Sequence, residues 1–498
     1  MNVNPITRLD YPDPDVIRVE DTYYMVSTTM HFMPGCEILQ SFDLVHWEHA
    51  TYVYETLDHT DAQQLKSGQN IYGQGMWAAS LRYHEGRFYI CFVANDTRKT
   101  YLYTSEKIDG PWKKQLIEGF YHDGSLLFDE DGRNYIVYGN DEIWITELNE
   151  DLTAPKKDGL HRLLVSDHKN PELGYEGSHI QKIDGYYYIF LIHSLRDRWM
   201  RTEACFYSDS LEGEFTGGDV LCDDRGYCGQ GVAQGGIVDT PDGKWYAMLF
   251  QDSGAVGRIP ILVPVTWKDH FPVFGQNGHV PEEIEVHSTR PGYIYQPLVG
   301  SDDFCNGLLP RWQFNHDPDP RYYHLDALQG TYTITTREVC TELTQAVNTL
   351  TQRMSYPSCA AEVTVDASAL KEGDVAGLCA LQSCYAAVGI TKHHGKYEVL
   401  MLDKKEDGIL DMTERTVVES HQMDFRLEAD FCNMKDEARC YYRVNKGDWL
   451  PIGTAHKLYF KLDHFTGCRF GLFCYAAEET GGSACFRDFK YYDVDEIS

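Results

Sequence analysis

The chain has 498 residues, 43% of them apolar and 13% aromatic, and a net charge of −32 at neutral pH. The length exceeds one compact domain, and the apolar content rules out a disordered chain. The acidic balance is set against phosphate backbones and anionic membranes, so neither nucleic acid nor a lipid surface is an expected partner; neutral sugars, whose C–H faces stack on aromatic rings, suit such a chain.

The opening MNVNPITRLDYPD lacks a basic region followed by an apolar stretch, so it does not read as a secretory signal. No apolar run approaches the ~20 residues of a membrane helix. Fifteen cysteines lie scattered with no CxxC pair, several inside strand-like runs such as FYICFVAND and GLFCYAA. They read as reduced, mostly buried thiols of a cytoplasmic protein.

Five segments then repeat one phrase. DPDVIRVEDTYYMVSTT starts at Asp13, AASLRYHEGRFYICFVA at Ala78, DGSLLFDEDGRNYIVYG at Asp123, EGSHIQKIDGYYYIFLI at Glu176 and QGGIVDTPDGKWYAMLF at Gln234. Each has a small or polar start, a short strand, a turn rich in Gly, Asp and Glu, an aromatic and an apolar strand: a β-hairpin. Recurrence at intervals of 45 to 65 residues predicts a five-bladed β-propeller. Segments such as CEILQSFDLVHWEHA and TYLYTSEKIDGPWKK supply the outer strands.

In a propeller the innermost strand of each blade lines a central channel, so the hairpin starts converge near one mouth. Three of the five starts are carboxylates: Asp13, Asp123 and Glu176. Asp also favours turns before strands, but like charges gathered without a function would cost stability. Two carboxylates across a sugar can hydrolyse a glycoside, one protonating the leaving oxygen and the other activating water, while a third raises the acid's pKa. Pro12 and Pro14 stiffen the backbone around Asp13.

The phrases NP at 4–5 followed by YPDPD, MWAAS at 76–80, HDGSLLFDEDG at 122–132, YEGSHIQKIDGYYY at 175–188 and GRIPILVPVTW at 257–267 give the chain a resemblance to glycoside hydrolase family 43 over essentially its whole length. The similarity is to the two-domain β-xylosidase and α-L-arabinofuranosidase branch. It implies an inverting mechanism with Asp13 as general base, Asp123 as the residue that tunes and orients the acid, and Glu176 as general acid. It also implies that Arg258 binds sugar hydroxyls, that Trp77 lies near the sugar, and that His31 and Phe32 line the pocket. His179 is expected on the inner strand with a structural role. Many relatives carry a histidine near Ala233 and Gln234, in some linked to a central metal; VAQGG has none. No cofactor is required and no metal ligand is assigned, with a structural calcium in the channel left in doubt.

TRPGYIYQPLVGSDD at 289–303 marks a crossing between domains. Beyond it, alternating runs such as AAEVTVDAS, VAGLCALQS, KYEVLMLD, ARCYYRVN and RFGLFCYAA predict a two-sheet β-sandwich, concanavalin A-like by the resemblance. The all-β expectation is therefore a catalytic propeller over 1–295 and a sandwich over 301–498. The sandwich is expected as a fixed accessory domain narrowing the pocket, since no long Ser/Thr/Pro linker precedes it; a separate carbohydrate-binding module is the alternative.

The expected function is exo-hydrolysis releasing terminal α-L-arabinofuranose, β-D-xylose or both from arabinoxylan-, xylan- or arabinan-derived oligosaccharides. An endo-acting arabinanase, a retaining fructosidase-type propeller and a non-catalytic sugar-binding propeller are the alternatives. Oligomeric state is not legible in the sequence.

Overall fold

The computed structural model describes residues 3–493. Its order is strand after strand, broken only by short 3-10 turns, and no helix is long and apolar enough to cross a membrane among these residues.

Five antiparallel sheets form the blades. The first runs through Asp15–Val19, Thr22–Ser27, Gly35–Ser41 and Glu48–Tyr54, the second through Met76–His84, Arg87–Ala94, Lys99–Ser105 and Lys113–Ile117. The third holds Ser125–Phe128 to His161–Ser166, the fourth Glu176–Ile183 to Thr216–Leu221, and the fifth Val232–Ala233 with Ile237–Asp239 to Phe271–Phe274. Apolar residues alternating along these strands pack blade against blade, as where Leu81, Ile90 and Phe92 of the second meet Val26 and Ile38 of the first. The Asn4 side chain closes the ring. Its amide donates to the Leu262 carbonyl at 2.8 Å and its oxygen accepts the Leu262 N–H at 2.9 Å, replacing a missing strand neighbour.

Every inner strand carries the same irregularity. Asp13, Ala78, Asp123, Gly177 and Gln234 all have positive φ, between 23° and 64°. Around each, the register to the second strand slips by one residue, as between Trp77 and Ser80 or between Glu176 and His179. The Pro12 carbonyl with the Thr28 N–H and the His122 carbonyl with the Gly139 N–H mark the same slip in blades one and three. This β-bulge turns two adjacent side chains into the channel mouth instead of one. It also corrects the alignment of the five phrases: the counterpart of Asp13 and Asp123 is Gly177, and Glu176 stands one residue earlier, beside Trp77 and His122. Aligning hairpins on their aromatic pairs does not reveal an inserted residue.

Two residues beyond each bulge, Asp15, Ser80, Ser125, His179 and Gly236 ring the channel. Arg82 plugs it, donating to Asp15 Oδ2 at 2.8 Å, Ser125 Oγ at 2.6 Å and the carbonyls of Leu126 and Ile180 at 2.8 and 3.1 Å. His179 Nδ1 lies 3.0 Å from Asp15 Oδ1, and the Leu81 N–H takes Asp15 Oδ2 at 2.7 Å. Both oxygens of the one channel carboxylate are thus engaged, and a guanidinium occupies the centre. Calcium takes six to eight oxygen ligands, waters and carbonyls among them, and the Asp15 carboxylate, held by Arg82, His179 and the Leu81 N–H, offers it neither oxygen free.

The sandwich pairs a seven-stranded sheet, from Tyr323–Asp326 to Leu450–Lys457, with an eight-stranded one. The edge of the eight-stranded sheet comes from the propeller: Phe32–Met33 pairs with Gln313–Asn315, Phe314 opposite Met33. The two domains therefore share a sheet, and the division near 295–301 is crossed by one short strand. The segment expected as a crossing is strapped to blade one, with Arg290 Nε 2.7 Å from Asp21 Oδ2 and the Thr289 N–H on the Phe42 carbonyl at 2.8 Å. Buried charges pin the junction: Arg353 pairs with Glu37 at 2.8 Å and stacks on Tyr11 at 4.0 Å. All fifteen cysteines are free thiols, most of them buried.

Candidate active site

A cavity of about 610 Å³ opens at the channel mouth where the bulges converge. Asp13, Asp123, Glu176, Trp77 and Arg258 all line it, together with His122, Gln234 and Trp199. A second cavity, of about 380 Å³, opens at the opposite mouth; Arg82 lines it and does not line the first.

Asp13 is buried and doubly held. Arg258 Nη1 lies 2.9 Å from Oδ1, and the Thr28 hydroxyl donates to Oδ2 at 2.6 Å. Thr28 is itself oriented by the Ala78 N–H at 2.8 Å, so blade two fixes a residue of blade one. Arg258 begins the third strand of blade five, its N–H bound by Asp10 Oδ1 at 2.8 Å. Its guanidinium lies 4.2 Å from the Phe465 ring. A carboxylate fixed by a charge and a hydroxyl keeps one orientation.

Asp123 accepts the Gly177 N–H at 3.0 Å. Its carboxyl is pushed up to about 6 by burial; the adjacent His122 opposes the rise, and the charges of Glu176 and Asp13 add to it. Gly177 is required at its place: φ is 64°, and a Cβ there would meet the Gln234 side chain at 2.7 Å. Glu176, half-buried, accepts the Asn140 amide on Oε2 at 2.7 Å, and His122 Nε2 lies 3.5 Å from both Glu176 Oε2 and Asp123 Oδ2. His122 is raised to about 9, first by the charge of Asp123 and against the opposing effect of burial. These three residues form the one His/Cys/Asp/Glu trio whose ligand atoms lie within 4.8 Å of one another among the described residues. Asp123 and Glu176, two of the three, are carboxylates of the channel-mouth set, so the trio belongs to this site.

The sandwich roofs the cavity. Met434, Phe460, Leu462 and Phe465 line it, and Phe465 packs on Trp77 at 5.4 Å between ring centres. The Gly467 N–H donates to Asp10 Oδ2 at 2.8 Å, so one carboxylate holds both the roof and the Arg258 strand.

His31 and Phe32 are not pocket residues. His31 is fully buried against Phe32, Tyr72 and His316, and Phe32 is 2% exposed beneath the Arg469 guanidinium, 3.4 Å from its ring. The reason is the shared sheet: once Phe32–Met33 pairs with Gln313–Asn315, these side chains point into the domain junction. His179 lies on the inner strand, in contact with Asp15. Sequence reasoning expected the sandwich to narrow the pocket but missed His122, Asn140, Thr28 and the particular roof residues. His122 had a local signal, since it precedes Asp123 as Glu176 precedes Gly177. The individual roof residues had none, being hundreds of residues distant.

A five-bladed propeller whose roofed pocket holds a fixed carboxylate, a second acidic group and a third carboxylate raising the local charge defines a glycoside hydrolase. Residues 3–272 match Glycosyl hydrolases family 43, and residues 301–492 match the Beta xylosidase C-terminal Concanavalin A-like domain. The chain belongs to glycosyl hydrolase family 43 and is an inverting glycoside hydrolase. It is similar to a "Beta-xylosidase" of Formosa agariphila, 27% identical across 99% of this chain and 89% of that protein. It is also similar to a "Xylosidase/arabinosidase 43B" of Humicola insolens, 27% identical across 98% and 96%. A solved structure of a bifunctional GH43-CE protein of Bacteroides eggerthii superposes with a TM-score of 0.93 at 42% identity, covering all of this chain and 64% of that one.

Proposed function

We propose that this enzyme removes single terminal pentoses, β-D-xylose, α-L-arabinofuranose or both, from arabinoxylan-, xylan- or arabinan-derived oligosaccharides. The observation that carries the reading is the roof. Phe460, Leu462 and Phe465 close the cavity above Trp77 and the carboxylates, leaving a pocket rather than a groove through which a polymer could thread. The names of the relatives, xylosidase and xylosidase/arabinosidase, support the sugar class.

In this reading Asp13, oriented by Arg258 and Thr28, deprotonates a water that attacks the anomeric carbon. Glu176 protonates the departing oxygen from the opposite face. Asp123, buried and bound to the Gly177 N–H, places a second carboxyl beside Glu176, with His122 between them. Trp77 offers an apolar face to the sugar ring. Free thiols and the acidic surface support a reducing, cytoplasmic location where short oligosaccharides are the substrates.

Turnover of 4-nitrophenyl β-D-xylopyranoside and 4-nitrophenyl α-L-arabinofuranoside tests the reading. Release from either one supports an exo-pentosidase and ranks the sugars. No release from either, with longer arabinan cleaved internally, would replace it with an endo-acting enzyme.

A further inference from the structure

The roles above leave open which oxygen of Glu176 carries the proton that is transferred. Glu176 Oε2 faces two donors: the Asn140 amide at 2.7 Å, and His122 Nε2 at 3.5 Å. Asn140 ends the second strand of blade three, and His122 occupies the bulge position just before Asp123, so one blade supplies both. The charged groups facing His122 are Asp123 from its own segment, Glu176 from blade four and Asp13 from blade one, all carboxylates. That surrounding holds the ring as an imidazolium, in which both nitrogens are donors and neither accepts. A proton placed on Oε2 would therefore point at donors, while Oε1 carries no such competition.

We propose that His122 and Asn140 are positioning residues for the general acid: together they keep Glu176 Oε2 as an acceptor, so that Oε1 carries the transferable proton, and they stabilise the carboxylate left after transfer. The proposal rests on the reading of Glu176 as the acid. In the step itself the Oε1–H bond breaks and its proton passes to the glycosidic oxygen, whose bond to the anomeric carbon breaks. Water forms the new C–O bond on the opposite face and gives its proton to Asp13. The charge that appears on Glu176 then lies against two donors already aimed at it, with no reorganisation needed.

The arrangement makes an asymmetric demand on the substrate. A leaving group that departs as a stable anion needs little protonation, whereas a sugar alkoxide needs full protonation. Disturbing the donors should therefore harm the second far more than the first, without weakening binding.

The test compares His122→Gln and Asn140→Ala with the parent enzyme on two substrates of the same sugar, a disaccharide and its 4-nitrophenyl glycoside. Asn140 lies at the exposed end of its strand, so its replacement keeps the test valid if the His122 variant folds poorly. For both variants kcat on the disaccharide should fall roughly tenfold or more, a part of the ~10²–10⁴ that general acid catalysis supplies in full. On the aryl glycoside the loss should stay below about threefold, and KM for both substrates should hold within about twofold. Equal losses on the two substrates, no loss, or a change confined to KM would overturn the proposal. Glu176→Gln in the same assay separates the two layers. If it too shows no difference between substrates, the acid assignment itself fails. If it shows the difference and the His122 and Asn140 variants do not, only the positioning proposal fails.

Discussion

Replacing Asp123 by Asn removes the charge that dominates the site while keeping its size and one hydrogen-bond acceptor for the Gly177 N–H. His122 reports the effect. Its ring is raised from 6.5 to about 9, with Asp123 the first cause, and the side chain is 22% exposed, so the interaction is only partly screened. One unit corresponds to about 1.4 kcal/mol, so the carboxylates' effect on His122, net of the opposing burial, is about 3 kcal/mol in order of magnitude. In Asp123→Asn the ring should titrate clearly lower, because the first cause of its rise is gone, with Glu176 and Asp13 retaining part of the rise. The assay is an NMR titration of the histidine ring signals, His122 being assigned by its loss in His122→Gln. Stability carries the same signature. A histidine raised in the folded state contributes fully below pH 6.5 and loses that contribution as pH rises through about 9, so the parent should lose more melting temperature between pH 6.5 and 9 than the variant. Asp123, raised to about 6 by burial, has the opposite standing at neutral pH, because its ionised form is disfavoured in the fold. The two effects partly cancel in the melting temperature at pH 7, which leaves the ring titration as the sharper readout. A His122 that titrates in Asp123→Asn as it does in the parent would refute the electrostatic account of the site.

Three further perturbations test the surroundings. Phe465→Ala removes the ring 4.2 Å from the Arg258 guanidinium and 5.4 Å from Trp77; a desolvated cation–π contact is worth about 2 kcal/mol, so kcat/KM on short oligosaccharides should fall roughly tenfold or more, and unchanged kinetics would show that the roof does not shape the pocket. Arg353→Met leaves Glu37, which burial would raise but Arg353 and His49 hold down to about 2, with His49 as its remaining charged partner; losing the guanidinium of this buried pair should cost up to roughly 3–5 kcal/mol, read as a drop in unfolding midpoint, and a drop of under about 1 kcal/mol would refute the buried-pair argument. His464, stacked on Tyr72 at 3.9 Å, is lowered to about 3 by burial, so its contribution is complete above pH 6.5 and is lost as pH falls toward 3. At pH 5 it should cost about 2 kcal/mol, and His464→Phe, which keeps the stack, should flatten the acid side of the melting profile; an unaltered acid slope would refute this.

The blades were legible because each carries its own period-2 alternation and turn, and because the phrase recurs. Asp13, Asp123 and Glu176 were legible for the same reason, although their equivalence was off by one residue at Glu176. What stayed hidden was non-local. The pairing of Phe32–Met33 with Gln313–Asn315 joins segments nearly three hundred residues apart, and nothing near His31 or Phe32 distinguishes a junction residue from a pocket residue. The sandwich was expected to narrow the pocket, but which of its residues do so is hidden likewise: nothing in YFKLDHF marks it as the roof, which is held by the Gly467 N–H on Asp10, more than four hundred residues away.

The bulge explains why so few positions carry the chemistry. Each blade presents two consecutive side chains to the mouth: Pro12 and Asp13, Trp77 and Ala78, His122 and Asp123, Glu176 and Gly177, Ala233 and Gln234. In four blades one member of the pair is alanine, glycine or proline, so a single functional group projects and its neighbour makes room. Gly177 illustrates the constraint, because any side chain there would collide with Gln234. Blade three alone presents two titratable groups, and these are the two that touch Glu176 from one side and accept the Gly177 N–H on the other. Holding non-glycine residues at positive φ costs on the order of 1–3 kcal/mol each. Four of the five blades bear that cost, at Asp13, Ala78, Asp123 and Gln234. A plain strand start would turn only one of each pair toward the mouth, and the acid would then lose either its charge-tuning neighbour or its hydrogen-bonding one.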